Sequence, residues 1–142
     1  MISLTTIGDN YIFQRPLLGK HQETLEWLSA IVLWKSELSF FQKLLDRHVS
    51  KLTTADARNH AEHFQNVIIY FKCEVIDSLT TRLRQHEKKL SEMLEARNDP
   101  KTDYIGEHES LMKESELVSS RFIRYRHEAC YPVRWSLCKL LF

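Results

Sequence analysis

The residues that decide the fold are Thr54–Arg97, TADARNHAEHFQNVIIYFKCEVIDSLTTRLRQHEKKLSEMLEAR. They run for about 44 positions without a Gly or a Pro, and at 1.5 Å per residue they read as one helix roughly 66 Å long. Ala57, Ala61, Phe64, Ile68, Phe71 and Val75 recur in alternating four- and three-residue steps. That spacing keeps one apolar stripe turned toward partner helices. Leu79, Leu83, His86, Leu90 and Met93 continue the stripe after two consecutive four-residue steps. The extra spacing is a stutter, which unwinds a supercoil locally without ending the helix.

The flanking segments have the same character. Before the central helix, Trp27, Ile31, Trp34, Leu38, Phe41, Leu45, His48 and Leu52 form a heptad seam. It predicts a helix over about 20–51, with Leu28, Leu44 and Val49 widening the stripe enough to touch two neighbours. Thr53 with Asp56 three residues on resembles an N-cap followed by an acidic first turn. So short a connection makes the second helix, about 54–97, an antiparallel neighbour of the first. Asn98-Asp99-Pro100 ends the central helix and starts a third, with Pro in the first turn where its missing N–H does no harm. Tyr104, His108, Leu111, Ser115, Val118, Phe122, Tyr125 and Ala129 extend the third seam over about 100–131. Gly106 weakens its first turns, and Pro132 is expected to end or kink it.

The expected fold is therefore all-α: an elongated antiparallel bundle of three long helices in a single domain covering 1–142. Residues 1–18 read as a docking arm punctuated by Pro16 and Gly19, and residues 133–142 as an apolar tail. Charges set a register for the second hairpin, with Arg84 opposite Glu114 or Glu116 and Lys88 and Lys89 near Glu109. Further along, Asp77 falls opposite Arg121, and Glu74 opposite Arg124 and Arg126. Such pairs contribute little singly, but a complementary run selects the register. The outer helices, roughly 48 Å each, are shorter than the central one. Apolar surface is then left near Phe64 and near Leu90, to be covered by the arm and the tail or by a second copy in a symmetric dimer.

Composition limits the function classes. The 142 residues suit one domain with a real core, and a net charge of +1 gives no general attraction to nucleic acid or anionic lipid. Cys73, Cys130 and Cys138 form no CxxC pair and no even framework, which fits a reducing, cytoplasmic compartment. Cys73 and Cys130 fall within about a turn of each other in the expected register, and a buried thiol acting as a small hydrophobe fits them better than a disulfide. The N-terminus lacks the basic region of a signal peptide, and no apolar run reaches the roughly 20 residues a bilayer requires.

Few residues point to chemistry. Gly-rich phosphate loops, HExxH, HxxxH and the Glu-x-x-His pattern of di-iron bundles are all missing, and no cofactor and no catalytic residue is expected. His48, His60 and His63 gather at the first hairpin, where two imidazoles with Asp56 or Glu62 suit Zn²⁺; solvated histidines at a bundle end are the plainer reading. Arg121, Arg124 and Arg126 form a basic, aromatic stretch able to neutralise phosphates. Cations are also favoured near a helix C-terminus, so a structural role suits them as well. His86, His108 and Ser115 are polar positions inside seams, where such residues commonly set register or oligomeric state.

The run Glu62-His63-Phe64-Gln65-Asn66, followed by Ile76-Asp77-Ser78-Leu79 and His86-Glu87, resembles small helical proteins of Bacteroidetes-type bacteria. The first helix, with Trp34-Lys35-Ser36-Glu37-Leu38, is similar to them too. The likeness covers roughly residues 20–97 and implies a bacterial cytoplasmic setting; no activity or site residue comes with it. The expected function is a non-catalytic interaction or scaffolding module that binds a protein partner or a second copy. Phe64, Leu90, Met93, Trp135, Leu140 and Leu141 are its candidate contacts. The alternatives are a bundle that holds metal or a small ligand through its histidines, and a nucleic-acid binder using the arginines.

Overall fold

The computed structural model describes the backbone of residues 4–96 and 102–141 and the side chains of residues 16–96 and 103–128. Helix α1 spans Leu4–His48 and is followed by a 3-10 turn, Val49–Lys51. The central rod comprises α2 (Ala55–Tyr70), a π-helical segment (Phe71–Ile76) and α3 (Asp77–Glu95). Helix α4, Thr102–Leu141, completes the chain order. The fold is all-α, and no strand occurs among the described residues.

The cap of α2 falls one residue later than the sequence suggests. Thr54, not Thr53, is the N-cap: its backbone is extended, and its hydroxyl accepts the Ala57 N–H at 3.2 Å. Asp56 occupies the first turn, where a negative charge is favoured.

The stutter is resolved as a π turn. Phe71 and Ile76, five residues apart, are both in the core, 1 % and 0 % exposed, whereas Val75 is only half-buried. In a regular α-helix a five-residue step displaces the second side chain by about 140°. The wider i→i+5 turn brings Ile76 back onto the seam. Backbone angles remain right-handed helical at Tyr70, Phe71, Ile76 and Asp77, so the rod is continuous. The same turn carries Cys73 to the surface, where its thiol is free; the expectation of a buried Cys73 is thereby corrected.

Residues 1–18 dock as expected at Leu17, which packs with Leu90 and Met93, but they do not form an arm separate from the first helix. From Leu4 onward they are the start of α1, which continues through Pro16 and Gly19. An interior Pro costs about 3 kcal/mol. Against that, Leu17 is buried with Leu90, Met93 and Tyr104, and burying a Leu is worth about 1.5–3 kcal/mol. The expected end of the third helix near 131 is likewise overturned, because α4 runs through Pro132 to Leu141. One lost backbone bond does not stop a helix whose next turns hold good formers such as Arg134, Leu137 and Lys139.

The main core joins Ile31, Trp34 and Leu38 of α1 to Phe71, Ile76, Leu79 and Leu83 of the rod and to Leu111, Val118 and Phe122 of α4. Ring contacts tie the layers together: Trp34 to Phe122 at 5.4 Å, and Phe71 edge-on to Tyr125 at 5.0 Å. Polar pairs set the register, about two residues from the expected one. Arg82, not Arg84, pairs with Glu114, and Lys89 meets Glu107, not Glu109, at 2.5 Å. Asp77 and Arg126 turn to α1 in place of each other's helices, binding Lys35 at 3.0 Å and Glu37 at 2.9 Å. Contacts from Glu23 to His108 and from Glu37 to Arg126 make α1 and α4 parallel, with the rod antiparallel to both. Among the described residues no helix is long and apolar enough to cross a membrane.

Candidate functional site: a buried histidine layer

Two of the polar seam positions, His86 on α3 and His108 on α4, meet inside the bundle. His86 Nε2 and His108 Nδ1 are 3.0 Å apart. His108 Nε2 reaches Glu23 Oε2 on α1 at 2.9 Å, so one hydrogen-bonded chain crosses all three layers. Tyr104, one turn before His108, stacks on His86 with centroids 4.3 Å apart and planes 2° from parallel. On the far side, Glu107 Oε1 stands 3.5 Å from His86 Nδ1 without forming a hydrogen bond, while its other oxygen takes the Lys89 ammonium. His21 of α1 pairs with Glu87 of α3 at the rim of the layer.

A neutral imidazole has one N–H donor and one acceptor nitrogen. The assignment that satisfies the chain has His108 donating from Nε2 to the Glu23 carboxylate and accepting at Nδ1 from His86 Nε2–H. His86 Nδ1 is then a bare lone pair, in keeping with its lack of a hydrogen-bond partner among the described residues. Burial is the main influence on His86 and lowers its pKa; His108 also lowers it, and Glu107 and Glu87 pull the other way. Glu107 is lowered, first by its hydrogen bond from Lys89. Tyr104 is pushed up to about 12, mainly by burial and then by Glu87, Glu107 and Glu23. Its hydroxyl has no partner among the described residues. The layer can therefore fix register between three helices and take up or release a proton at His86.

Ser115, the third polar seam residue, is fully buried elsewhere on α4, and its hydroxyl has no partner among the described residues. Two grooves border the layer. One of about 240 Å³ lies between α1 and α3, lined by Leu17, Leu18, His21, Glu87, Leu90 and Leu94. The other, about 400 Å³, lies at the α3–α4 hairpin beside Lys89, Glu92, Asp103, Tyr104 and Glu107.

The remaining sequence candidates are placed as follows. His60 and His63 are exposed on α2 and His48 is half-buried at the end of α1. Among the described residues no three His, Cys, Asp or Glu side chains are arranged to hold a metal ion. Arg121 and Arg124 are exposed, whereas Arg126 is held by Glu37 and lies over the Phe122 ring at 5.1 Å. Leu90 and Met93 are buried beneath Leu17 and Tyr104, so they are core in this chain. Phe64 is half-buried, edge-on to Phe41 at 5.8 Å. The side chains of Trp135, Leu140 and Leu141 lie outside the described residues. Glu23 was hidden from sequence reading because its partner lies 85 positions away, across a helix pair whose register the sequence does not state. Tyr104 and His108, four apart on one face, were the available signal for the stack.

No protein-family model matches the chain, and no curated protein or solved structure matches it either. The likeness of the central helix to small bacterial helical proteins gains no support from these comparisons.

Proposed function

We propose that the chain is a non-catalytic helical interaction module whose contact surface is the outer face of α1. The observation that carries this reading is a row of large apolar side chains on that face: Leu18, Leu25, Val32, Leu33 and Phe40, with Val32 and Leu33 64 % and 65 % exposed. Isolated exposed apolar residues are ordinary, but a row repeated at helical spacing for several turns is a mark of a partner surface. The opposite face of α1 is already committed to the core through Ile31, Trp34 and Leu38. The flanks are committed as well, Lys35 to Asp77 of α3 and Glu37 to Arg126 of α4. The outer face is what remains for a helix of another chain to pack on.

A photoreactive residue tests the proposal. Placed at Leu33 in the full-length protein and irradiated in extract of its native cells, it should form discrete covalent protein adducts. The same residue at Glu116, on the exposed polar side of α4, should form none. Absence of adducts at Leu33, or equal labelling at both positions, overturns the reading.

A further inference from the structure

We infer that the partner of the α1 outer face is a second copy of this chain, packed antiparallel about a two-fold axis through Ser29. The inference rests on the interaction reading and deepens it by naming the occupant.

The outer face carries Leu18, Gln22, Leu25, Ser29, Leu33, Ser36 and Phe40, all exposed. Their steps are four, three, four, four, three and four residues, a palindrome centred on Ser29. At about 100° per residue, every one of them points within about 40° of the Ser29 direction, so they form a single stripe. The chemistry is palindromic too. Leu25 and Leu33 stand four residues either side of Ser29, and Leu18 and Phe40 stand eleven either side. Polar Gln22 and Ser36 mirror each other at seven.

An antiparallel pair of helices related by a two-fold brings each position level with its mirror position on the partner. Residues on opposite sides of the stripe's midline then meet in layers. The palindrome therefore gives apolar layers of Leu18 with the partner's Phe40 and of Leu25 with the partner's Leu33. Gln22 shares a polar layer with the partner's Ser36, and the two Ser29 side chains meet at the axis. Self-complementarity of this kind is what a two-fold interface demands and what an unrelated partner does not. Val32 with Glu26 is the one unlike mirror pair; both lie at the edge of the stripe, where Glu26 keeps access to water. The central serine is small enough to let the helices approach at the axis. The seam spans about 33 Å on one helix per chain, which is small for an obligate dimer, so association depends on concentration.

Cysteine pairing tests both partner and direction in the full chain. Ser29→Cys should give a disulfide-linked dimer under mild oxidation, whereas Gln22→Cys and Ser36→Cys should each give none beyond wild type treated alike. A mixture of the Gln22→Cys and Ser36→Cys proteins should give the mixed dimer. In sedimentation, wild type should shift with concentration from 16.9 kDa toward twice that mass. Leu25→Glu with Leu33→Glu should remain at 16.9 kDa with unchanged helicity, because both side chains are exposed. Wild type that stays monomeric at about 1 mM, the weak limit of specific affinity, overturns the inference. Self-linking of Gln22→Cys alone, which marks parallel pairing, overturns it as well. If photoadducts at Leu33 contain a different protein, self-pairing fails and the interaction reading stands; if none form, both fail.

Discussion

His86 Nε2 and His108 Nδ1 lie 3.0 Å apart in the interior, with Glu23 2.9 Å beyond His108 and Glu107 3.5 Å from the other nitrogen of His86. His86 faces Glu107, His108 and Tyr104 from α4, reaches Glu23 of α1 through His108, and has Glu87 beside it on α3. Burial dominates this balance, so its folded pKa lies below the ordinary 6.5. A lowered histidine means that the unfolded chain binds more protons than the folded one between the two values. Stability is therefore full above about pH 6.5 and falls as the pH drops below it. Glu107, also lowered, adds a loss only below its ordinary 4.5, so the interval from pH 6.5 to 5 isolates the histidine. Urea midpoints measured at pH 7.5, 6.5 and 5.5 should decline, and His86→Leu should flatten the decline by more than half. An unchanged slope in that variant would assign the effect elsewhere.

Tyr104 and Ser115 each bury a hydroxyl that has no partner among the described residues. An unsatisfied buried hydroxyl carries a desolvation penalty of about 1–3 kcal/mol. Tyr104→Phe keeps the ring stacked on His86 and removes only the oxygen. Ser115→Ala likewise removes only an oxygen, about three turns further along α4. Both should leave stability unchanged or raise it by up to about 1 kcal/mol in urea unfolding. A loss greater than about 1 kcal/mol would mean that the hydroxyl is hydrogen-bonded in solution.

The seams were legible because burial writes a period into the chain: Ile31, Trp34, Leu38, Leu83, Leu90, Leu111, Val118 and Phe122 are read from spacing alone and are all core. His86, His108 and Ser115 were legible for the same reason, as polar residues at seam positions. The π turn was visible only as a stutter. Two four-residue steps through Val75 and one five-residue step to Ile76 describe the same irregularity, and only backbone geometry chooses between them. The N-terminal extension of α1 was concealed by Pro16 and Gly19, whose local preferences are outweighed by tertiary contacts of Leu17. Glu23 and the outer stripe of α1 stayed hidden because they depend on which face of α1 the other helices occupy.

Deleting Cys73 should convert the π turn into an α turn. The step from Phe71 to Ile76 becomes four residues, and the seam from Ala61 to Met93 then alternates three and four without interruption. Cys73 is exposed, so no packing is lost with its side chain. Helicity should persist and the melting temperature should stay within a few degrees of wild type. Deleting Arg84, equally exposed but in the regular α3, rotates His86, Leu90 and Met93 by about 100° out of the core. That variant should lose cooperative unfolding. Equal damage from both deletions would show that the π geometry is itself required.

Gly19 and Gly106 lie inside α1 and α4, and neither has backbone in the left-handed region. Beyond its chain neighbours and its own helix backbone, a Cβ built at either position meets no atom of the described residues within 4 Å. The glycines therefore supply neither a special conformation nor clearance, and each leaves the helix weaker than Ala by about 1 kcal/mol. Gly106→Ala stiffens the turn that carries Tyr104, Glu107 and His108; Gly19→Ala stiffens the turn that presents Leu17 to Leu90 and Met93. Each should raise the melting temperature by about 4 °C, and the two should add because they lie on different helices. Failure of Gly106→Ala to stabilise would mean that the first turns of α4 yield on folding or binding, so that a better helix former has no rigid site to fill.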